Sequence, residues 1–162
     1  MKVRDVMMRT PACCRPETNL GSAIEMLWTR NCGMLPIVDA RQKVIGVVTD
    51  RDLCVALGTR SRPAGQITVG EVATGEAYTC RAEDDIHVAL QEMANNRVRR
   101  LPVVDEDGVL EGILSMDNVV LHTETAGWGR STELSDEDVV KTLRQIYGPR
   151  LPQVVHSRAA VN

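Results

Sequence analysis

The chain has no phenylalanine, two tryptophans and two tyrosines, which leaves few rings for stacking on nucleic-acid bases. It has no basic excess either: 19 Lys and Arg stand against 22 Asp and Glu, a formal charge of -3. A general nucleic-acid binder needs a basic face, so this balance gives that class no support. No apolar run approaches the ~20 residues of a membrane span. The opening MKVRDVMMRTPACC lacks the apolar core of a signal peptide, so a soluble, cytoplasmic chain is expected. Walker loops, Gly-x-Ser-x-Gly and HExxH are missing, and the three histidines occur in unrelated contexts. Catalysis is therefore not expected. The five cysteines (Cys13, Cys14, Cys32, Cys54 and Cys80) are odd in number and show no CxxC or CxxH spacing. That points to reduced thiols acting as small hydrophobes, with no metal. The competing reading is a zinc site from Cys13, Cys14 and one of His87, His122 or His156.

What the chain does have is an ordinary globular composition, 43% apolar and 25% charged over 162 residues. A chain of this length buries roughly 70% of its unfolded surface, here with an aliphatic core. It also repeats itself without a gap at an offset of 66 residues: Cys14, Arg15 and Glu17 fall on Cys80, Arg81 and Glu83. Leu35, Pro36, Val38 and Asp39 fall on Leu101, Pro102, Val104 and Asp105. The stripe Leu20, Ala23, Ile24, Leu27 recurs as Ile86, Ala89, Leu90, Met93, at helical spacing.

Each unit reads β-α-β-β-α. An extended piece at Cys13–Cys14 leads into a helix capped by Thr18 and ending near Asn31; its counterpart is capped by Asp84 and ends near Asn96. Strands Met34–Val38 and Val44–Val48 follow, then a short helix Arg51–Leu57, repeated at Asp117–Leu121. Asp107-Gly108 marks the second hairpin. Residues 1–57 form the first motif, 58–66 a linker rich in Gly, Pro and Ser, and 67–121 the second motif. Residues 122–162 form a tail, loop-like around Gly127, Trp128 and Gly129. The tail holds one helix near 135–147, with Ser135 and Asp138 as a capping box and Val139, Val140, Leu143 and Ile146 on its apolar face. This helix is expected to dock on its own core or on a second subunit, and to matter for assembly or access rather than for the fold.

The strings MLPIVDARQKVIGVVTDRDL and RRLPVVDEDGVLEGILSMDNV resemble the core of CBS domains. The resemblance runs from about Val3 to Leu121, and small stand-alone bacterial proteins of the hypoxic-response type are similar in size. It implies an α/β (α+β) fold in which two β-α-β-β-α motifs pack sheet to sheet about a pseudo-two-fold axis.

Thr49 ends a strand and Asp52 opens the next helix, whose free N–H groups suit a phosphate. A carboxylate at Asp52 can accept from two vicinal hydroxyls, and Arg51 between them can reach a phosphate. The plain alternative is that Thr49 and Asp52 form only a helix cap. The resemblance assigns ribose to Thr49 and Asp52, and phosphates to Arg51, Arg99 and Arg100. The base would lie between Val47 and the Pro36 segment. A weaker second site would use Ser115, Asn118 and Pro102, with Asp117 in place of Arg51 and no arginine from the other motif. The implied function is a regulatory or sensor module for AMP, ADP or ATP, with NAD or S-adenosylmethionine as further candidates. The alternative is a ligand-free dimeric interaction protein working through its surfaces and tail. Related modules also imply a homodimer through helix faces, here Leu27, Trp28, Leu53, Leu57, Met93 and Val120.

Overall fold

The computed structural model describes residues 1–73, 77–123 and 133–149. The loop expected around Gly127, Trp128 and Gly129 lies outside them, as does His156. In chain order the elements are α1 (Val3–Val6), β1 (Met8–Arg9), α2 (Leu20–Thr29), β2 (Met34–Val38), β3 (Val44–Thr49) and α3 (Asp50–Thr59). Then come β4 (Cys80–Arg81), α4 (Ile86–Asn96), β5 (Arg100–Val104), β6 (Leu110–Ser115), α5 (Met116–Leu121) and α6 (Asp136–Tyr147).

The repeat holds to the level of register. β2 and β3 pair antiparallel with Met34 opposite Thr49, and β5 and β6 pair with Arg100 opposite Ser115. Both hairpins shift register at the same point, between Ile37 and Val38 and between Val103 and Val104. Asp39 and Asp105 close the hairpin turns alike: each Oδ1 accepts two backbone N–H groups, from Arg41 and Lys43 or from Asp107 and Val109. The turns then meet. The Val44 N–H donates to the Gly108 carbonyl at 2.9 Å, and the Leu110 N–H donates to the Gln42 carbonyl at 3.0 Å. These two bonds exchange under the offset, so the pseudo-two-fold axis passes between them. Gln42 and Gly108 both carry positive φ, 63° and 83°, which glycine adopts without steric cost and glutamine does not.

The leading segments are exchanged between halves. The Leu20 N–H donates to the Ile67 carbonyl, and the equivalent Ile86 N–H donates to the Met1 carbonyl. Ile67, Val69 and Val72 are buried in the first core with Leu20, Leu27, Leu35, Val48 and Leu53. Val3 and Val6 are buried in the second core with Ile86, Met93, Leu101 and Leu114. Residues 1–6 and 67–72 therefore each pack in the core of the other half. A match at a fixed offset reports likeness, not contact.

Two helix caps fall one residue later than the sequence suggests, at Asn19 and Asp85, whose side chains accept from the Ser22 and His87 N–H groups. Thr18 and Asp84 are already committed to the preceding turn, where they accept from the Arg15 and Arg81 N–H groups. α6 has the expected Ser135–Asp138 capping box. It lies on α4 and α5, and Leu134, Val139 and Ile146 are buried with Ile86, Leu90, Met93 and Val119. The Arg97 guanidinium donates to the carbonyls of Gly148 and Pro149 at its far end. Of the two expected placements the helix takes the first, docking on its own core, where it packs into the second cluster rather than only governing assembly or access.

Candidate ligand site

The first cleft, about 390 Å³, opens where β3 turns into α3. Thr49 caps α3 by accepting from the Asp52 N–H at 3.3 Å. Its own N–H and hydroxyl donate to Asp52 Oδ2 at 2.9 and 2.7 Å. This capping box places Asp50 and Arg51 on the first turn of the helix, at the mouth of the cleft. The opposite wall comes from the other half: Arg97, Val98, Arg99, Arg100 and Pro102. Arg100 and Pro102 share one strand face because side chains alternate along β5. Val47, Tyr78, Gly33 and Met34 complete the lining.

Val47, Thr49, Arg51, Arg99 and Arg100 are therefore brought together as the sequence suggests. Pro36 and Asp52 do not line the cleft. Pro36 is buried in the β2–β3 hairpin opposite Val47, where its carbonyl accepts from the Cys14 N–H. Asp52 stands behind Thr49, held by the two bonds to its Oδ2. Pro102, expected at the second site, lies in the first cleft, because β5 forms the wall across from Thr49. Sequence reasoning missed Asp50, Arg97 and Tyr78. Arg97 ends α4 in the left-handed region, φ 55°, as Asn31 ends α2 at φ 47°. Projecting Asn31 and the Gly33–Met34 corner through the offset would have drawn attention to it.

The second cleft, about 360 Å³, is the repeat of the first. Ile113, Ser115, Asp117 and Asn118 replace Val47, Thr49, Arg51 and Asp52, and the Ser115–Asn118 capping box has the same bonds. The expectation of no arginine from the other motif is corrected, since Arg30 lines this cleft. Arg100 reaches it too, with its Nη2 3.5 Å from Asp117 Oδ2. One guanidinium thus borders both clefts and offsets the acidic residue in the second.

Burial pushes the Cys14 thiol up to about 12, helped by neighbouring Cys13, and pushes Cys80 to about 12 as well. Both are buried in the two cores, as small hydrophobes are, while Cys54 is exposed. Among the described residues no group of three or more His, Cys, Asp and Glu converges as metal ligands would. No described helix is long and apolar enough to cross a membrane.

Comparison with known proteins agrees with this geometry. The chain is 29% identical over 141 residues to the CBS domain-containing protein YhcV of Bacillus subtilis, covering 85% of this chain and 97% of that protein. It is also 29% identical over 119 residues to inosine-5'-monophosphate dehydrogenase of Methanocaldococcus jannaschii, but spans only 23% of that enzyme. Among solved structures it resembles Hypoxic Response Protein I with two coordinated zinc ions (TM-score 0.69, 27% identity, 76% of this chain and 100% of that one). It likewise resembles CBSX2 of Arabidopsis thaliana in complex with AMP (TM-score 0.65, 30% identity, 74% and 93% covered). The CBS domain model matches residues 3–59 and 69–123, and the chain belongs to the CBS domain family.

Proposed function

We propose that the chain is a non-catalytic regulatory module that binds an adenosine-containing ligand, of the AMP, ADP or ATP class, in its first cleft. The observation that carries this reading is the convergence of Arg51, Arg99 and Arg100, from both halves, around the Thr49 turn. Three arginines beside a helix N-terminus suit a phosphate, and a space of about 390 Å³ lies within the usual range for small-ligand sites. Val47, Pro102 and Tyr78 offer apolar and aromatic surface for a flat base. Thr49 lines the cleft with its hydroxyl oriented by Asp52 behind it, and so offers the polar contact for a ribose. That CBSX2 was solved with AMP supports the same reading. NAD and S-adenosylmethionine remain candidates, the second cleft is the weaker site, and the working unit is a homodimer.

Calorimetry against AMP, ATP, NAD, S-adenosylmethionine and adenosine tests this. One phosphorylated ligand per chain is expected to bind. Arg99→Ala or Arg100→Ala should weaken phosphorylated ligands and leave adenosine almost unchanged. No heat from any of them at millimolar concentration would favour the ligand-free interaction protein.

A further inference from the structure

One arginine serves both clefts. Arg100 lines the first beside Arg51 and Arg99, and it lines the second beside Ser115, Asp117 and Asn118. Its place in the hairpin explains why. Arg100 stands opposite Ser115 as Met34 stands opposite Thr49, and Met34 borders both clefts as well. These two positions exchange under the 66-residue offset, but only one of them carries charge. We propose that Arg100 is a cation for which the two clefts compete, so that each cleft responds to the charge of the other's occupant. A phosphate in the first cleft draws Arg100 away from Asp117. Positive charge brought to Asp117 therefore frees Arg100 and tightens phosphate binding in the first cleft, and negative charge in the second cleft claims Arg100 and loosens it. The proposal rests on the reading above, that the first cleft holds a phosphorylated adenosine ligand.

Of the three arginines gathered at the Thr49 turn, Arg100 alone has a carboxylate within ion-pair distance among the described residues, with Asp117 Oδ2 at 3.5 Å from Nη2. Arg30 also lines the second cleft but is not paired with that carboxylate. The guanidinium has room to turn, because it lies over Gly33. Both of its Nη atoms are 3.5 Å from where a Cβ on that residue would stand, and Asp50 Oδ2 is 3.3 Å from the same point. One carboxylate from each corner thus lies near the guanidinium, Asp50 on the first turn of α3 and Asp117 on the first turn of α5. Asp117 is 81% exposed and Arg100 25%, so their pair is weak. A phosphate that presents several oxygens to Arg51, Arg99 and Arg100 together is the stronger claimant. Linkage makes the effect mutual: whatever factor the first ligand imposes on the second cleft, an occupant of the second cleft imposes on the first.

Calorimetry of AMP against the full chain, arranged as a double-mutant cycle, tests this. Asp117→Asn removes the competing charge and should tighten AMP about two- to fivefold, the scale of an exposed ion pair. Arg100→Met, which installs the residue of the counterpart position, should weaken AMP about tenfold or more. In that background Asp117→Asn should no longer tighten AMP, because the arginine through which it acts is gone. Circular dichroism reports the folding of each variant, and Arg100→Gln replaces Arg100→Met in the cycle if the latter does not fold. No gain from Asp117→Asn in the wild-type background overturns the proposal. So does an equal gain with and without Arg100, since Asp117 would then act on the phosphate through space alone. Absence of AMP binding to the wild type overturns the reading above and this proposal together, whereas AMP binding with a flat cycle overturns this proposal only.

Discussion

At the 66-residue offset the two clefts set Thr49 against Ser115, Arg51 against Asp117, Gly33 against Arg99 and Met34 against Arg100. Backbone geometry survives between them: the hairpin registers, both capping boxes and the left-handed residues at Asn31 and Arg97 coincide. Charge does not survive. A handful of side chains turns one strand-to-helix corner into a cationic recess and leaves its twin holding an exposed aspartate. In a duplicated fold, residues that shape the corner and residues that select its occupant are separable.

The comparison can be broken hardest at α6, which only the second half possesses. Leu134 is 1% exposed in that core, so Leu134→Ala should cost about 2–5 kcal/mol in denaturant unfolding. Trp28→Ala on the open first-half surface should change monomer stability by no more than ~0.5 kcal/mol. Equal losses would show that α6 is not part of the core.

Exchanging charges sharpens the contrast between clefts. Arg51→Asp should weaken AMP by about ten- to a hundredfold, since it removes one charge-assisted contact and adds a repulsion. Asp117→Arg should create a second measurable AMP site. Calorimetric stoichiometry moving from one to two per chain is the readout, and an unchanged stoichiometry would mean that shape, not charge, separates the clefts.

The caps provide a smaller, matched pair. Thr49→Ala and Ser115→Ala should each cost about 1 kcal/mol of stability, but only Thr49→Ala should also weaken the ligand. If both variants lower affinity equally, the two corners are functionally alike.

Acid acts most gently. Asp85 is held below the ordinary carboxylate range chiefly by the His87 backbone N–H, and Asp138 chiefly by the Ser135 hydroxyl. A depressed carboxylate contributes stability above its unfolded value, about 4, and that contribution is lost as pH falls through the depressed value. Thermal melting should therefore decline below about pH 4, and Ser135→Ala should flatten that decline. An unaltered acid limb in Ser135→Ala would remove Asp138 from the account.

Much of this was legible in residue order. The strand Met34–Val38, the Asp107-Gly108 turn and the Ser135 box depend on neighbours in sequence, so local chemistry reveals them. Thr49 with Arg51, and Arg99 with Arg100, could be named as candidates because the offset aligns them with corners of known type. What sequence withheld are facts of side-chain direction and long-range pairing. Thr49-x-x-Asp52 reads equally as a cap or as a ribose contact, and residue order alone does not choose between them. Nothing in Pro36 says that its twin Pro102, rather than itself, borders the first cleft. α6 announces an apolar face, but not that Leu90 and Ala94 lie beneath it while Ile24 and Trp28 stay bare.

The exchanged leads have a consequence for synthesis. Met1–Val6 leaves the ribosome well before the second half, yet its seat is built from Ala82, Asp84 and Ile86. The first half likewise waits for Ile67–Val72 before its core is filled. Neither repeat can close while the other is unmade, so the nascent chain is expected to hold an unsealed apolar surface until both copies have emerged, and then to fold as one cooperative event.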